Sequence, residues 1–77
     1  MSKRDPQLLI VDIIESGTKI LDYIGDMNFD SFLKDSKTVD AVIRNFEIIG
    51  EAAIRLPEEY KDLHPSIDWH KIRGFRN

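Results

Sequence analysis

The sequence predicts an all-α fold: a small antiparallel helical bundle with two long helices, short connecting helices and an incomplete final helix. Apolar residues recur at helical spacing through two stretches, 10–24 and 39–53, and no run alternates apolar with polar as a strand would. Capping residues, prolines and glycines stand where such helices would start and stop. Seventy-seven residues make one small domain, 1–77, with a core that is marginal alone.

Asp5 can cap the first helix, and Pro6 suits its first turn, where an N–H would have no helical partner. From there Ile10, Ile13, Ile14, Gly17, Ile20, Leu21 and Ile24 share a face, while Asp12, Glu15, Lys19, Asp22 and Asp26 fall largely elsewhere. Residues 25–28 end that helix. Phe29, Phe32 and Leu33 then belong to a short helical segment expected to lie over an end of the core. Asp35, Ser36 and Thr38 are all competent caps for the second long helix, whose stripe is Val39, Val42, Ile43, Phe46, Ile49, Gly50 and Ala53. Each stripe carries a glycine. A mid-helix glycine costs about 1 kcal/mol relative to alanine, and on a packing face it can offset that by letting two backbones approach. Two heptads flanked by breakers are too short for a coiled coil, so the simplest geometry is an antiparallel pair. Pro57 ends the second helix and opens a short turn with Glu58 and Glu59 at its start. Residues 65–67 are an extended link. Asp68 or Ser66 caps the last helix, whose apolar residues are Trp69, Ile72 and Phe75. The sequence stops at Asn77 with no Gly or Pro to close that helix, so the domain is expected to be C-terminally truncated.

Composition narrows the function. With no cysteine there are no disulfides and no thiolate metal sites, which fits a reducing, cytoplasmic setting. His64 and His70 have Pro65 between them and make a poor pair of metal ligands, so no metal site is expected. Asp12 and Glu15 interrupt the first apolar stretch too soon for a signal peptide or a membrane span. Residues 1–68 carry eight Lys/Arg and fourteen Asp/Glu, net −6, whereas 69–77 carry Lys71, Arg73 and Arg76 with no acid, net +3. A basic last segment on an acidic body reads either as a local anion site or as a solvated helix face. Leu9, Val11, Ile48 and Ile54 lie off the main stripes. Either the rest of the final helix covers them or a second subunit does, and a symmetric homodimer is the more economical reading.

Three segments carry a resemblance. Ala41-Val-Ile-Arg-Asn-Phe-Glu-Ile-Ile-Gly-Glu-Ala-Ala53 is similar to the helix of HepT-like proteins that ends in Ile-Gly-Glu-Ala-Ala. Ile67-Asp-Trp69 resembles their P-x-I-x-W lead into the next helix, and Ile72-Arg-Gly-Phe-Arg-Asn77 resembles the I-x-G-x-RN run before their active site. HepT-like proteins belong to the HEPN group of compact, usually dimeric helical domains. Many are toxins paired with a minimal nucleotidyltransferase antitoxin. The resemblance implies a metal-independent RNA endonuclease that needs no cofactor. Its motif is an Arg, a polar residue, a few more residues, a His, and often a Tyr two residues on that the antitoxin modifies with AMP. Arg76 matches the motif Arg and Asn77 the polar residue; the His and Tyr have no counterpart in this sequence.

The chemistry accounts for such a motif. In metal-free RNA cleavage a 2′-hydroxyl attacks the adjacent phosphorus. Proton transfer near neutral pH suits His, and the charge growing on the phosphate oxygens suits the planar fork of Arg. Arg76 and Asn77 are therefore the candidate catalytic residues; the blander reading is a surface Arg and a terminal Asn. Arg73 adds positive field to that face or is a solvated or acid-paired Arg. Glu51, about 100° round the helix from the core-facing Gly50, either pairs with Arg76 or Arg73 or is a solvated acid. Arg44 and Asn45 are candidates for RNA or partner contact. His70 precedes Arg76, on the wrong side for the motif His, and reads as a surface residue; His64 reads as a loop residue. Trp69 reads as a core anchor, and Tyr23 and Tyr60 as half-buried packing residues. With the His absent, the 77-residue chain is expected to be inactive. The alternative is a non-catalytic module that dimerises or binds the nucleotidyltransferase. A nucleotide-binding role has no Gly-rich loop to support it.

Overall fold

The computed structural model describes residues 5–74, which form α1 (Pro6–Ile24), α2 (Phe29–Lys34), α3 (Ser36–Arg55), α4 (Glu58–Asp62) and α5 (Trp69–Arg73). Four of these described starts carry a side-chain cap, and α4 begins after Pro57 without one. The Asp5 carboxylate accepts from the Gln7 N–H at 2.8 Å, ahead of Pro6. The Asn28 side chain accepts from the Ser31 N–H at 2.8 Å and opens α2. Of the three competent caps for α3, Asp35 is the one used, accepting from the Thr38 N–H at 3.2 Å. Asp68 rather than Ser66 opens α5, accepting from the Lys71 N–H at 3.1 Å. The end of α1 is set by Gly25, whose φ of 51° lies in the left-handed region that only glycine enters freely. Arg55 is the last residue of α3, and Pro57 stands just beyond it as the N-cap of α4.

The long helices run antiparallel. Leu9, near the start of α1, is buried with Ala52 and Leu56 at the end of α3, and Ile20, near the end of α1, is buried with Val42 and Ile49. Trp69 packs on the first of these clusters and Ile72 on the second, so α5 lies along the pair. Tyr60 of α4 also packs on the first cluster. No helix among the described residues is long and apolar enough to cross a membrane.

The face α1 buries is rotated from the one its stripe suggests, whereas α3 buries Val42, Ile49, Gly50 and Ala53 of its own stripe. Leu9, expected off the stripe, is only 3% exposed, whereas Ile14 and Leu21, expected within it, are 61% and 73% exposed. On α3 Ile43 is likewise exposed, while Asn45 and Ala52 are buried. The physical reason is stripe width. Apolar residues cover well over 100° of each helix, and one neighbour fills only part of that arc, so its line of approach selects the buried subset. Gly17 is not a close-approach point: a Cβ there would meet nothing within 4 Å. Phe32 reaches the core, but Phe29 and Leu33 do not, Phe29 being 71% exposed. A helix of under two turns docked on the end of the pair seats one large side chain. Tyr23, expected half-buried, is exposed.

Candidate functional site

The outer face of α3 presents Arg44, Glu47, Ile48 and Glu51 within two turns, and α1 contributes Asp12 beside them. Together they line an open groove of about 430 Å³. Arg44 and Glu51, both singled out in the sequence, thus share one concave surface. Arg73 is exposed at the end of α5 and is not among the described lining residues. Arg76 and Asn77 lie outside the described residues.

Among the described residues that line the groove, three are carboxylates and one is a guanidinium. Glu51 is held from its own helix by Arg55, whose Nε is 3.3 Å from the Glu51 Oε1 one turn earlier. Both side chains are about half exposed, so the pair orients Glu51 more than it stabilises the fold. Among the described residues no three His, Cys, Asp or Glu side chains are grouped so as to hold a metal ion.

Asp12 was not a candidate on sequence grounds, although a signal for it existed. Three residues after Leu9, it stands about 60° from it on the helical wheel, beside the face that is buried. It is accordingly half-buried, unlike Glu15, Lys19 and Asp22 of the same helix, which are exposed. The signal depends on knowing that Leu9 faces inward, and that is decided by packing.

Asn45 is placed differently from expectation. It is 5% exposed, with its Nδ2 donating to the Ala41 carbonyl at 2.8 Å, and so is not a surface contact for RNA. Among the described residues neither its Oδ1 nor the Trp69 Nε1, both buried, has a hydrogen-bond partner, one an acceptor and one a donor, on the two helices that pack together. Leaving such atoms unpaired costs about 1–3 kcal/mol each. Trp69 is half-buried against Leu9, Ala52 and Leu56, a core anchor as the sequence suggests. His64 and His70 are both exposed, His64 between α4 and α5 and His70 on α5.

Residues 13–77 match the family model described as Ribonuclease HepT-like, a span that takes in Arg44, Glu51, Arg73, Arg76 and Asn77. The chain belongs to the HepT-like ribonuclease family. Asp12 lies one residue before the HepT-like match begins. A Methanocaldococcus jannaschii protein named "Putative RNase" is 43% identical over 77 residues, all of this chain and 64% of that protein. A second M. jannaschii protein of the same description is 34% identical over 77 residues, again all of this chain and 71% of the relative. The "Probable ribonuclease HepT" of Thermococcus cleftensis is 40% identical over 75 residues, 97% of this chain and 68% of its own length. The chain thus spans about two thirds of the length of the HepT-like relatives it matches. No solved structure matches it.

Proposed function

We propose that this chain is the greater part of a metal-independent RNA endonuclease, the toxin of a toxin–antitoxin pair, working as a homodimer in the cytoplasm beside a minimal nucleotidyltransferase antitoxin. The observation that carries this reading is the HepT-like match running through the Arg76–Asn77 pair. Arg76 binds the scissile phosphate and stabilises the charge that develops on it. Asn77 hydrogen-bonds the phosphate or orients its neighbours. Arg73, on the same terminal segment, adds positive field, and Arg44 contributes a cation from α3. The motif calls for a His a few residues after Arg76 to move protons. The only histidines of this chain, His64 and His70, both precede Arg76. The 77 residues by themselves therefore bind RNA weakly and do not cut it.

The test incubates RNA, in EDTA, with the 77-residue chain, with a form extended to the length of its relatives, and with that longer form carrying Arg76→Ala. Cleavage is expected from the extended form alone, falling by at least about 100-fold in the Arg76 variant. Cleavage by the 77-residue chain would refute the requirement for a later His, and full activity in the Arg76 variant would refute the assignment of the phosphate ligand. The second reading is a non-catalytic module for dimerisation or antitoxin binding. The exposed apolar side chains of α1 and α3 favour it, and an extended form that binds its partner but leaves RNA intact would establish it.

A further inference from the structure

Resting on the homodimer proposed above, we infer that the outer face of α3 is where two copies meet, with the α3 of a second copy lying antiparallel across it about a two-fold axis. That face carries a narrow stripe of charge. At about 100° per residue, Asp40, Glu51, Arg44 and Arg55 fall within an arc of about 60° along α3. Asp40, Arg44 and Arg55 are exposed, and Glu51 is half-buried. Exposed Ile48 borders the arc on one side, and exposed Ile43 and Ile54 border it on the other. Arg44, Glu47, Ile48 and Glu51 are also the α3 wall of the open groove.

The order of the charges selects a second copy as occupant. Arg44 and Glu51 stand equally far on either side of the midpoint between Glu47 and Ile48, and so do Asp40 and Arg55. A two-fold axis through that midpoint sets Arg44 against Glu51 of the partner subunit and Asp40 against Arg55 of the partner subunit, each twice over. A parallel pairing in register sets like against like at all four positions. The charges therefore fix direction and register, while the bordering isoleucines supply the apolar contact. Asp40 and Arg44 stand four apart on one helix, yet neither enters the ion pairs of the described residues. Glu51 is already held from its own helix by Arg55. Its carboxylate is thereby oriented, and its two oxygens accept from a second guanidinium without releasing the first. Glu47 is exposed at the edge of the stripe, where water and salt screen it from its symmetry mate.

Sedimentation equilibrium on the 77-residue chain tests the arrangement, with circular dichroism to check that every variant stays folded. The parent chain is expected to dimerise, more weakly as salt is raised. Arg44→Glu leaves only acids at positions 44 and 51, and Glu51→Arg leaves only bases. Each should raise the dimer Kd by at least about tenfold. Mixed in equal amounts, these two variants should associate with each other about as tightly as the parent does with itself, because each supplies the sign the other lacks. Arg44→Glu combined with Glu51→Arg in one chain should restore the homodimer. Asp40→Arg and Arg55→Asp give an independent pair for the same comparison. Single variants that dimerise like the parent, or mixtures no tighter than their components, would overturn this face as the contact while leaving the homodimer standing. A parent chain that stays monomeric at every concentration would instead refute the homodimer reading itself.

Discussion

Asp35 closes one helix and opens the next. Its N–H donates to the Phe32 carbonyl at 3.1 Å and its carboxylate accepts from the Thr38 N–H at 3.2 Å, so one residue sets the corner between α2 and α3. Hydrogen bonds from the Thr38 side chain and backbone, with a lesser contribution from the charge of Lys37, lower its pKa below the ordinary 3.8. A carboxylate with a depressed folded-state pKa stabilises the protein above its unfolded value, and that contribution is lost as pH falls through the folded one. Asp35→Asn should therefore flatten the acid limb of the stability curve below about pH 4, measured as melting temperature against pH. An unchanged acid limb would show that the cap carries no charge-dependent stability. Asn45 teaches the opposite lesson about single residues. Beside exposed Arg44, it reads in sequence as another polar surface position, and only the direction from which α1 and α5 approach α3 buries it.

At the scale of elements, the helices and their starts were legible because their causes are local. A cap needs one side-chain acceptor and one backbone N–H two or three residues on. The facing of α3 was legible in its stripe, but that of α1 was not, because its apolar arc is wider than the contact it makes. Gly17 shows the consequence. It sits in the middle of a 19-residue helix with nothing within 4 Å of the position a Cβ would take. Gly17→Ala should raise the unfolding free energy by about 0.5–1 kcal/mol through helix propensity alone, seen as a later urea midpoint with unchanged slope. A destabilised variant would mean that another surface approaches Gly17 in the assembled protein.

The whole molecule has a thin core and an open apolar side. Among the described residues the buried apolar side chains are Leu9, Ile20, Val42, Ile49, Ala52, Ala53 and Leu56, none of them aromatic. Counted at about 100° per residue, exposed Ile14 and Leu21 lie roughly 120–140° round α1 from Leu9. Exposed Ile43 and Ile54 lie roughly 100–120° round α3 from Val42, in the same rotational sense. In an antiparallel pair the same sense means the same side, so all four flank one surface. The expected result is concentration-dependent self-association in light scattering. Ile14→Glu combined with Leu21→Lys should reduce it with a melting-temperature change of only a few degrees, because substitutions at exposed sites usually cost under about 0.5 kcal/mol each. An unchanged mass distribution would remove this surface from any interface.

The candidate site divides in the same way. Arg44, Glu51, Arg73, Arg76 and Asn77 were singled out from their order along the chain; the structure brings Arg44 and Glu51 to one groove, and Arg76 and Asn77 lie outside the described residues. By itself the sequence determined the helices, the Asp5 cap, the all-α class and the resemblance that the HepT-like match confirms, since each depends on neighbours a few residues apart. Tertiary structure decided which arc of each stripe is buried, that Leu9 rather than Ile14 faces inward, that Asn45 is enclosed, and that Asp12 stands in the groove with Glu51. Those facts turn on the angle at which two helices meet. That angle comes from packing over the whole interface, and no local spacing encodes it.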